Sequence, residues 1–126
     1  MPKEALRYLK NAKEILKNVP VEDGDYTDVK PVREAFSTAY LAVLEAINEA
    51  LIIKRGFTKK ELPKSIDEYR KALRKYLAIH NGKLMRNFES LYDALHLSGY
   101  YRAQIYNRDA VKSYLKAAKA FIYKIK

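Results

Sequence analysis

The stretch that decides the fold is Val29–Arg55, which reads VKPVREAFSTAYLAVLEAINEALIIKR and is followed by Gly56. Its apolar residues recur at steps of three and four, as they do along the buried stripe of an amphipathic helix. Some 25 helical residues make a rod of about 37 Å, and glycine is the usual C-terminal cap. We expect this helix to be the centre of a helical bundle. The stripe consists of Val32, Ala35, Phe36, Ala39, Tyr40, Val43, Leu44, Ile47, Ala50 and Leu51.

Four shorter amphipathic patterns flank the central helix, and each predicts a further helix. Short links between long helices favour antiparallel neighbours. No stretch alternates apolar and polar residues with period two, so no strand is predicted. We therefore expect an all-α, up-and-down antiparallel bundle of about five helices in a single domain, residues 1–126. The flanking helices are predicted at about 2–18, 66–80 and 84–99, and, after a bend at 99–108, in a last helix that ends at Ile125.

Capping residues mark several of these helix ends. Ser65 with Glu68 three residues later is a capping box, and Asn81-Gly82 is expected to stop the third helix at His80. Thr27 or Asp28 is expected to cap the central helix, and Asn107 or Asp109 the last one.

Four carboxylates lie in the loop 22–28, before the central helix. Their spacing does not meet the twelve-residue calcium-loop pattern, which needs alternating ligands and a distal Glu. We interpret them as acids that favour the positive N-terminus of the helix, and we predict neither a metal nor a cofactor.

Composition excludes several classes of protein. With 48% apolar residues the chain resembles a globular domain, and without cysteine it has no disulfide, thiolate zinc site or thiol nucleophile. No apolar run approaches the roughly 18 residues that a membrane span needs. The first residues show no signal-peptide core. We therefore expect a cytoplasmic protein that does not bind a membrane.

The net charge of +10 belongs almost entirely to the second half of the chain. Residues 1–63 hold 11 basic and 10 acidic side chains, whereas residues 64–126 hold 14 and 5. Packing of both halves predicts one positive face, which would attract RNA or an acidic protein surface. A solvated surface that keeps the protein soluble is the alternative. The predicted binding residues on this face are Arg102, Arg108, Lys112, Lys116 and Lys119, with Lys126 and Tyr123 beside them.

A polar stripe on the fourth helix offers a second candidate site. Glu89, Asp93, His96 and Tyr100 fall within about 60° of one another on a helical wheel, and Arg86 lies beside them. An Asp one turn before a His can orient the imidazole, as a general base requires. The alternative is a boundary histidine that is hydrogen-bonded within its own helix for structural reasons.

The segment Tyr92–Tyr101 (YDALHLSGYY) resembles the signature of a small prokaryotic family of unknown function. In that family a Tyr-Asp-x-Leu-His-Leu stretch precedes a Gly/Tyr-rich bend. The resemblance implies a compact helical bundle in which Asp93, His96 and the neighbouring tyrosines belong to the shared feature. Further matches are Tyr8-Leu9-x-x-Ala12-Lys13-Glu14, Thr38-Ala39-Tyr40 and Lys64-Ser65 with Tyr69.

More distantly, the chain is similar to HEPN-like bundles, which include ribonucleases, toxin–antitoxin partners and binding modules. Arg74 followed by His80 resembles the active-site motif of the ribonucleases. Two features depart from that motif. On a continuous helix the two side chains lie about 120° apart. Lys75 also stands where the family favours a polar Asn, Asp or His.

Two hypotheses from different classes follow. The first, which we favour, is a non-catalytic module that binds RNA, an acidic protein or a second copy of itself through its basic face. The second is a metal-independent, HEPN-like ribonuclease or toxin–antitoxin component that uses His96 with Asp93, or His80 with Arg74. Sequence patterns place no nucleophile, base and oxyanion donor together, which is the reason for the preference.

Overall fold

The computed structural model describes residues 3–125, which form an all-α bundle of five helices, as predicted. The central helix, α2, spans Val29–Arg55. At its start the Asp28 carboxylate accepts a hydrogen bond from the backbone N–H of Lys30. At its end Gly56 adopts the left-handed conformation, with φ of 69°. Both bounds of this helix and both of its predicted caps are confirmed.

Four further helices surround α2, and two of them change from α-helical to π-helical hydrogen bonding part-way along. A π-helix bonds residue i to i+5, so its turns hold more residues than those of an α-helix. The α-helical parts are α1 (Lys3–Leu16), α3 (Ile66–Ala72), α4 (Gly82–Leu91) and α5 (Arg108–Ile125). Helix α3 continues as a first π-helix (Leu73–Leu77), and α4 continues as a second π-helix (Tyr92–Tyr101). A 3₁₀ turn covers Lys59–Glu61. The predicted start of the first helix at Pro2 lies outside the described residues.

The third helix is shorter than predicted. It ends in the first π-helix at Leu77, and His80 lies in an exposed turn beyond it. Asn81 does not stop this helix; its side chain accepts a hydrogen bond from Leu84 N–H and so caps the start of α4. The interpretation of His80 as the last helical residue on an apolar side was therefore wrong, because the chain uses this segment to begin the next helix.

The segment between α1 and α2 forms a small β-hairpin, so the prediction of no strand was wrong. Strand β1 (Val21–Glu22) pairs antiparallel with β2 (Asp25–Tyr26). Asp23 and Gly24 connect them with φ of 50° and 83°. Two positive φ values in a two-residue Asp-Gly loop are typical of the type I′ hairpin turn. Strands of two residues are too short to show an alternating pattern.

The apolar face of α2 is the centre of the core. Of the ten predicted stripe residues, Tyr40 and Leu44 are half-buried and the others are buried, together with Ala42 and Ala46. Within the described part of the chain, α2 is also the one helix long and apolar enough to cross a membrane. The expectation that no apolar run approaches that length was therefore wrong. A core helix meets the same criterion, and ten residues of α2 are buried in the bundle.

The second π-helix packs closely against α2. Gly99 is buried there beside Phe36, which is fully buried and also contacts Tyr114 of α5 edge-on at 6.4 Å. A methyl group at Gly99 would lie 2.5 Å from Cγ of Phe36, closer than any ordinary contact. Glycine is therefore required at this position for the π-helix to approach α2.

Candidate functional site

Four aromatic rings form a row where the second π-helix crosses α2. We call Tyr92, Tyr40, His96 and Tyr100 the aromatic row. His96 stacks on Tyr40 with 4.8 Å between ring centroids, and on Tyr100 with 6.0 Å. Tyr92 lies 6.0 Å from Tyr40 and 5.6 Å from His96. Three of these residues are spaced by four along the wider turn of the π-helix, which keeps their rings on one side.

A guanidinium lies over the ring at each end of the aromatic row. Arg70 of α3 is 5.2 Å from the centroid of Tyr92, and Arg33 of α2 is 5.5 Å from that of Tyr100. Arg33 Nε also donates a hydrogen bond of 2.8 Å to the backbone oxygen of Tyr100. Arginine is attracted to the face of an aromatic ring. The row therefore ties α2, α3 and the π-helix together.

Arg70 is further fixed by two carboxylates. Its Nε and Nη2 donate to the two carboxylate oxygens of Glu89 at 2.7 and 3.0 Å, and its Nη1 donates to Asp67 at 2.9 Å. The bond to Glu89 is the main reason that the pKa of Arg70 is raised. A two-pronged pair of this kind is the strongest side-chain geometry for arginine and carboxylate. Both carboxylate oxygens of Glu89, which we predicted to bind a ligand, thus accept hydrogen bonds from Arg70.

Tyr40 sits in the middle of the aromatic row. Burial raises the pKa of its phenol to about 12, and the neighbouring Tyr92 adds to the effect. Tyr40 is therefore neutral over the whole physiological range. It can donate a hydrogen bond there but cannot act as a phenolate.

The expected pairing of Asp93 with His96 is not formed. Asp93 is exposed, and in the described part of the chain no hydrogen bond or ion pair joins its carboxylate to His96. The reason is the change to π-helical hydrogen bonding after Leu91, which invalidates a wheel of 3.6 residues per turn. Glu89, His96 and Tyr100 do lie along the side that carries the aromatic row. Arg86 is exposed and extends back towards Gly82, one turn earlier.

The other candidate pair, Arg74 and His80, is also not assembled. Arg74 is exposed on the first π-helix, and His80 is exposed in the turn after it. In the described part of the chain, neither side chain forms a hydrogen bond or ion pair with the other. The described residues also contain no group of three or more His, Asp or Glu side chains that could hold a metal ion.

The strongest candidate for a binding site is a cleft of about 780 Å³ between α1, the β-hairpin and α5. We call it the basic cleft. It is open to solvent on one side, and its lining combines six cationic side chains with five apolar ones. In the described structure no carboxylate lines it. The cations are Lys13, Lys17, Arg108, Lys112, Lys116 and Lys119, and the apolar residues are Leu16, Val19, Val21, Tyr26 and Leu115.

Hydrogen bonds between the hairpin and the start of α5 shape the cleft. The N–H of Tyr26 donates to Tyr106 O at 2.8 Å, and that of Arg108 donates to Gly24 O at 2.9 Å. The Asn107 side chain accepts from the N–H of Ala110 at 3.0 Å, which confirms it as the predicted cap of α5. The hairpin is thus pinned beside α5. Burial raises the pKa of Tyr26, which forms part of the floor.

The two rims of the cleft come from different parts of the chain. Lys112, Lys116 and Lys119 are spaced by four and three, so that they share one face of α5. Lys13 in the last turn of α1 and Lys17 in the turn just after that helix form the other rim. Convergence of these cations makes the cavity positive, because no carboxylate lines it within the described structure; of the six, Arg108 lies 3.8 Å from the carboxylate of Asp109.

The structure brings together four of the predicted binding residues, namely those of α5. Arg102, also predicted, is exposed in the loop before α5 and does not line the cleft. Lys126 lies outside the described residues. The sequence patterns did not identify Lys13 and Lys17 as binding residues, so the contribution of the end of α1 was missed. The spacing of Lys13 and Lys17 beside the core residue Leu16 was the one local signal for it.

Comparisons with known proteins agree with this architecture. The family model described as "Domain of unknown function (DUF5618)" matches residues 1–126. A solved structure of a protein of unknown function from Dyadobacter fermentans is similar at 34% identity with a TM-score of 0.78, covering 98% of this chain and 91% of that one. No curated protein matches the chain. The resemblance to a family of unknown function is thus confirmed, and the chain belongs to the DUF5618 family.

Proposed function

We propose that this protein is a non-catalytic binding module that holds RNA in the basic cleft. The observation that carries the proposal is the convergence of six cations and no carboxylate, within the described structure, on one concave site. Phosphate groups are the natural partners of such a site, since each lysine or arginine that meets a phosphate releases a condensed counterion. The binding energy is then largely electrostatic and independent of sequence.

The shape of the site favours a strand of RNA over an acidic protein surface. Cations lie on both rims, from the end of α1 with the turn after it and from α5, with a cavity between them. A flexible strand can enter the cavity and present successive phosphates to both rims. The surface of a folded acidic protein would meet one rim at a time and leave the floor empty.

The aromatic row supports a structural role. His96 is stacked between Tyr40 and Tyr100, and the guanidinium of Arg70 is held by Glu89. Each of these groups is occupied in joining helices. This arrangement favours binding without cleavage, so we assign no catalytic role to His96.

Salt dependence of RNA binding tests the proposal. We would measure the affinity for a fluorescent single-stranded RNA of about 12 nucleotides by anisotropy at several salt concentrations. If six cations meet phosphates, a plot of log K against log salt has a slope of about −4.2, at about 0.7 per contact. The double variant Lys112→Ala/Lys116→Ala leaves four contacts, so it should bind more weakly and bring the slope to about −2.8.

A matched control removes the same charge elsewhere. Lys10 and Lys71 are exposed and do not line the cleft, so Lys10→Ala/Lys71→Ala should keep both the slope and the affinity close to those of the wild type. Equal losses in the two double variants would show that only net charge matters, and would refute the cleft as the site. The RNA should remain intact on a gel. Cleavage that is lost in His96→Ala or His80→Ala would overturn the non-catalytic assignment.

A further inference from the structure

We infer that the floor of the basic cleft seats a nucleobase, so that the site takes a nucleotide with its base inwards and its phosphate at the rim. This inference rests on the proposed function and specifies the chemistry of the ligand. It predicts that the protein binds single strands and free nucleotides in preference to duplexes. It also predicts that charge alone does not account for the affinity.

The first observation is the composition of the floor. Leu16, Tyr26 and Leu115 are 7%, 7% and 3% exposed, and Val19 and Val21 beside them are half-buried. A site for phosphate alone needs donors and cations, and gains nothing from an apolar surface. An apolar floor beneath a cationic rim is instead complementary to a ligand that has both an anionic and an apolar part.

The second observation is the size and shape of the cavity. Its volume of about 780 Å³ lies within the range of small-molecule sites, and it exceeds what a phosphate group occupies. The open side lets a flat ring enter from a strand that passes along the rims. Bases of a single strand are free to turn inwards, whereas those of a duplex are stacked and paired. Access to the floor therefore selects single strands.

A competition experiment with equal charges tests the role of the base. Labelled single-stranded RNA is bound to the protein, then displaced with AMP, UMP or ribose 5-phosphate, which carry the same phosphate with or without a base. We expect the nucleotides to compete about tenfold better than ribose 5-phosphate. That ratio corresponds to the lower part of the range of free energies measured for stacking of one base on an aromatic side chain. An RNA duplex of equal length should compete less well per strand than the unlabelled single strand.

Floor variants locate the effect. Val19→Ser and Val21→Ser each make the half-buried floor more polar, and should bring the AMP-to-ribose 5-phosphate ratio towards one while the affinity for polyphosphate is unchanged. Val29→Ser is the control, because Val29 is 37% exposed and lies outside the cleft. Thermal melting of each variant checks that it folds. Because two floor positions are tested, the experiment still decides if one of the two variants does not fold.

The outcomes separate this inference from the proposal on which it rests. If Lys112→Ala/Lys116→Ala weakens RNA binding but AMP and ribose 5-phosphate compete equally, the cleft binds phosphate and the base-seating inference is wrong. If neither the lysine nor the valine variants change RNA binding, both are wrong. Strong competition by dodecyl phosphate with none by AMP would assign the floor to an acyl chain and overturn the inference.

Discussion

Replacement of Gly99 by alanine is the perturbation whose effect is most directly set by the structure. The new methyl carbon would lie 2.5 and 2.7 Å from Cγ and Cδ2 of Phe36, and 2.7 Å from the backbone oxygen of Ala94. Carbon atoms in contact prefer about 3.5–4.0 Å, so the second π-helix and α2 must separate by about 1 Å. Phe36 is fully buried and cannot turn away without opening a cavity.

The size of the effect follows from two opposing contributions. Overpacking of a core costs about 1–3 kcal/mol. Alanine in place of glycine in a helix interior stabilises the folded state by about 0.5–1 kcal/mol, because it lowers the conformational entropy of the unfolded chain. We therefore expect Gly99→Ala to lower the free energy of unfolding by about 1–2 kcal/mol. For a chain of this length that is a fall in Tm of roughly 3–10 °C.

Urea unfolding followed by circular dichroism, with a thermal melt beside it, measures this difference. The control is Gly82→Ala at the start of α4, where the new methyl group would meet only the flexible end of Arg86 at 3.3 Å. That variant should stay within about 0.5 kcal/mol of the wild type. The same chemical change is thus compared at a crowded and at an open helical position.

A double-mutant cycle identifies the cause. Phe36→Leu removes the ring that Gly99→Ala would strike, so the loss in the double variant should be smaller than the sum of the single losses by about 1 kcal/mol. Additive losses would assign the cost to the backbone of the π-helix. A Gly99→Ala protein that is as stable as the wild type would refute the reasoning, since the close approach to α2 would then not need glycine.

Three further predictions concern the aromatic row and the hairpin. Burial raises the pKa of Tyr40 from 10.0 to about 12, so its neutral phenol contributes stability that is fully present below pH 10 and is lost as the pH rises through 12. In urea unfolding, Tyr40→Phe should therefore lose less stability than the wild type between pH 10 and pH 12. An identical pH profile in the two proteins would contradict this. Arg70→Gln and Glu89→Gln should show a coupling energy of about 1 kcal/mol in a denaturation cycle, limited by partial solvent exposure, whereas additivity would count against the pair. Gly24→Ala should lower the free energy of unfolding by about 1 kcal/mol in the same assay, because a φ of 83° is strained for alanine. It should also weaken RNA binding, because the hairpin forms one wall of the cleft. Unchanged stability would refute the predicted strain.

Much of the fold could be predicted from the sequence because its signals are local. Asp28 and Gly56 lie at the ends of a long apolar repeat, so both bounds of α2 followed from caps and periodicity. Ser65 marked the start of α3 in the same way, through its bond from the N–H of Glu68. The hairpin has strands too short for alternation, and its one available signal was the Asp23-Gly24 turn.

The π-helices could not be predicted from the same pattern. The apolar repeat carries no signal for π-helical hydrogen bonding, and the close approach of the second π-helix to α2 at Gly99 and Phe36 is a contact between distant segments. A wheel of 3.6 residues per turn applies only as far as Leu91. Beyond that residue it misplaced Asp93 beside His96 and did not reveal that Tyr40, from a different helix, completes the aromatic row.

Of the cations that line the basic cleft, those on α5 could be predicted from the sequence, whereas Lys13 and Lys17 could not. Spacing on one helix identified the lysines of α5, because residues four apart share a face. Lys13 and Lys17 became part of the site through the packing of α1 beside α5, a contact between segments about a hundred residues apart in sequence. The near-neutral charge of the first half of the chain concealed their contribution, although none of its described acidic residues lines the cleft.

The most direct test of the central claim is to map the bound RNA onto the protein by NMR. Addition of a single-stranded RNA of about 12 nucleotides to isotope-labelled protein should shift the amide signals of cleft residues such as Val19, Val21, Lys112 and Lys116. Those of Lys71 on α3 should stay in place. Shifts concentrated in Tyr92–Tyr101 with the cleft signals unchanged would contradict the assignment of the basic cleft as the RNA-binding site.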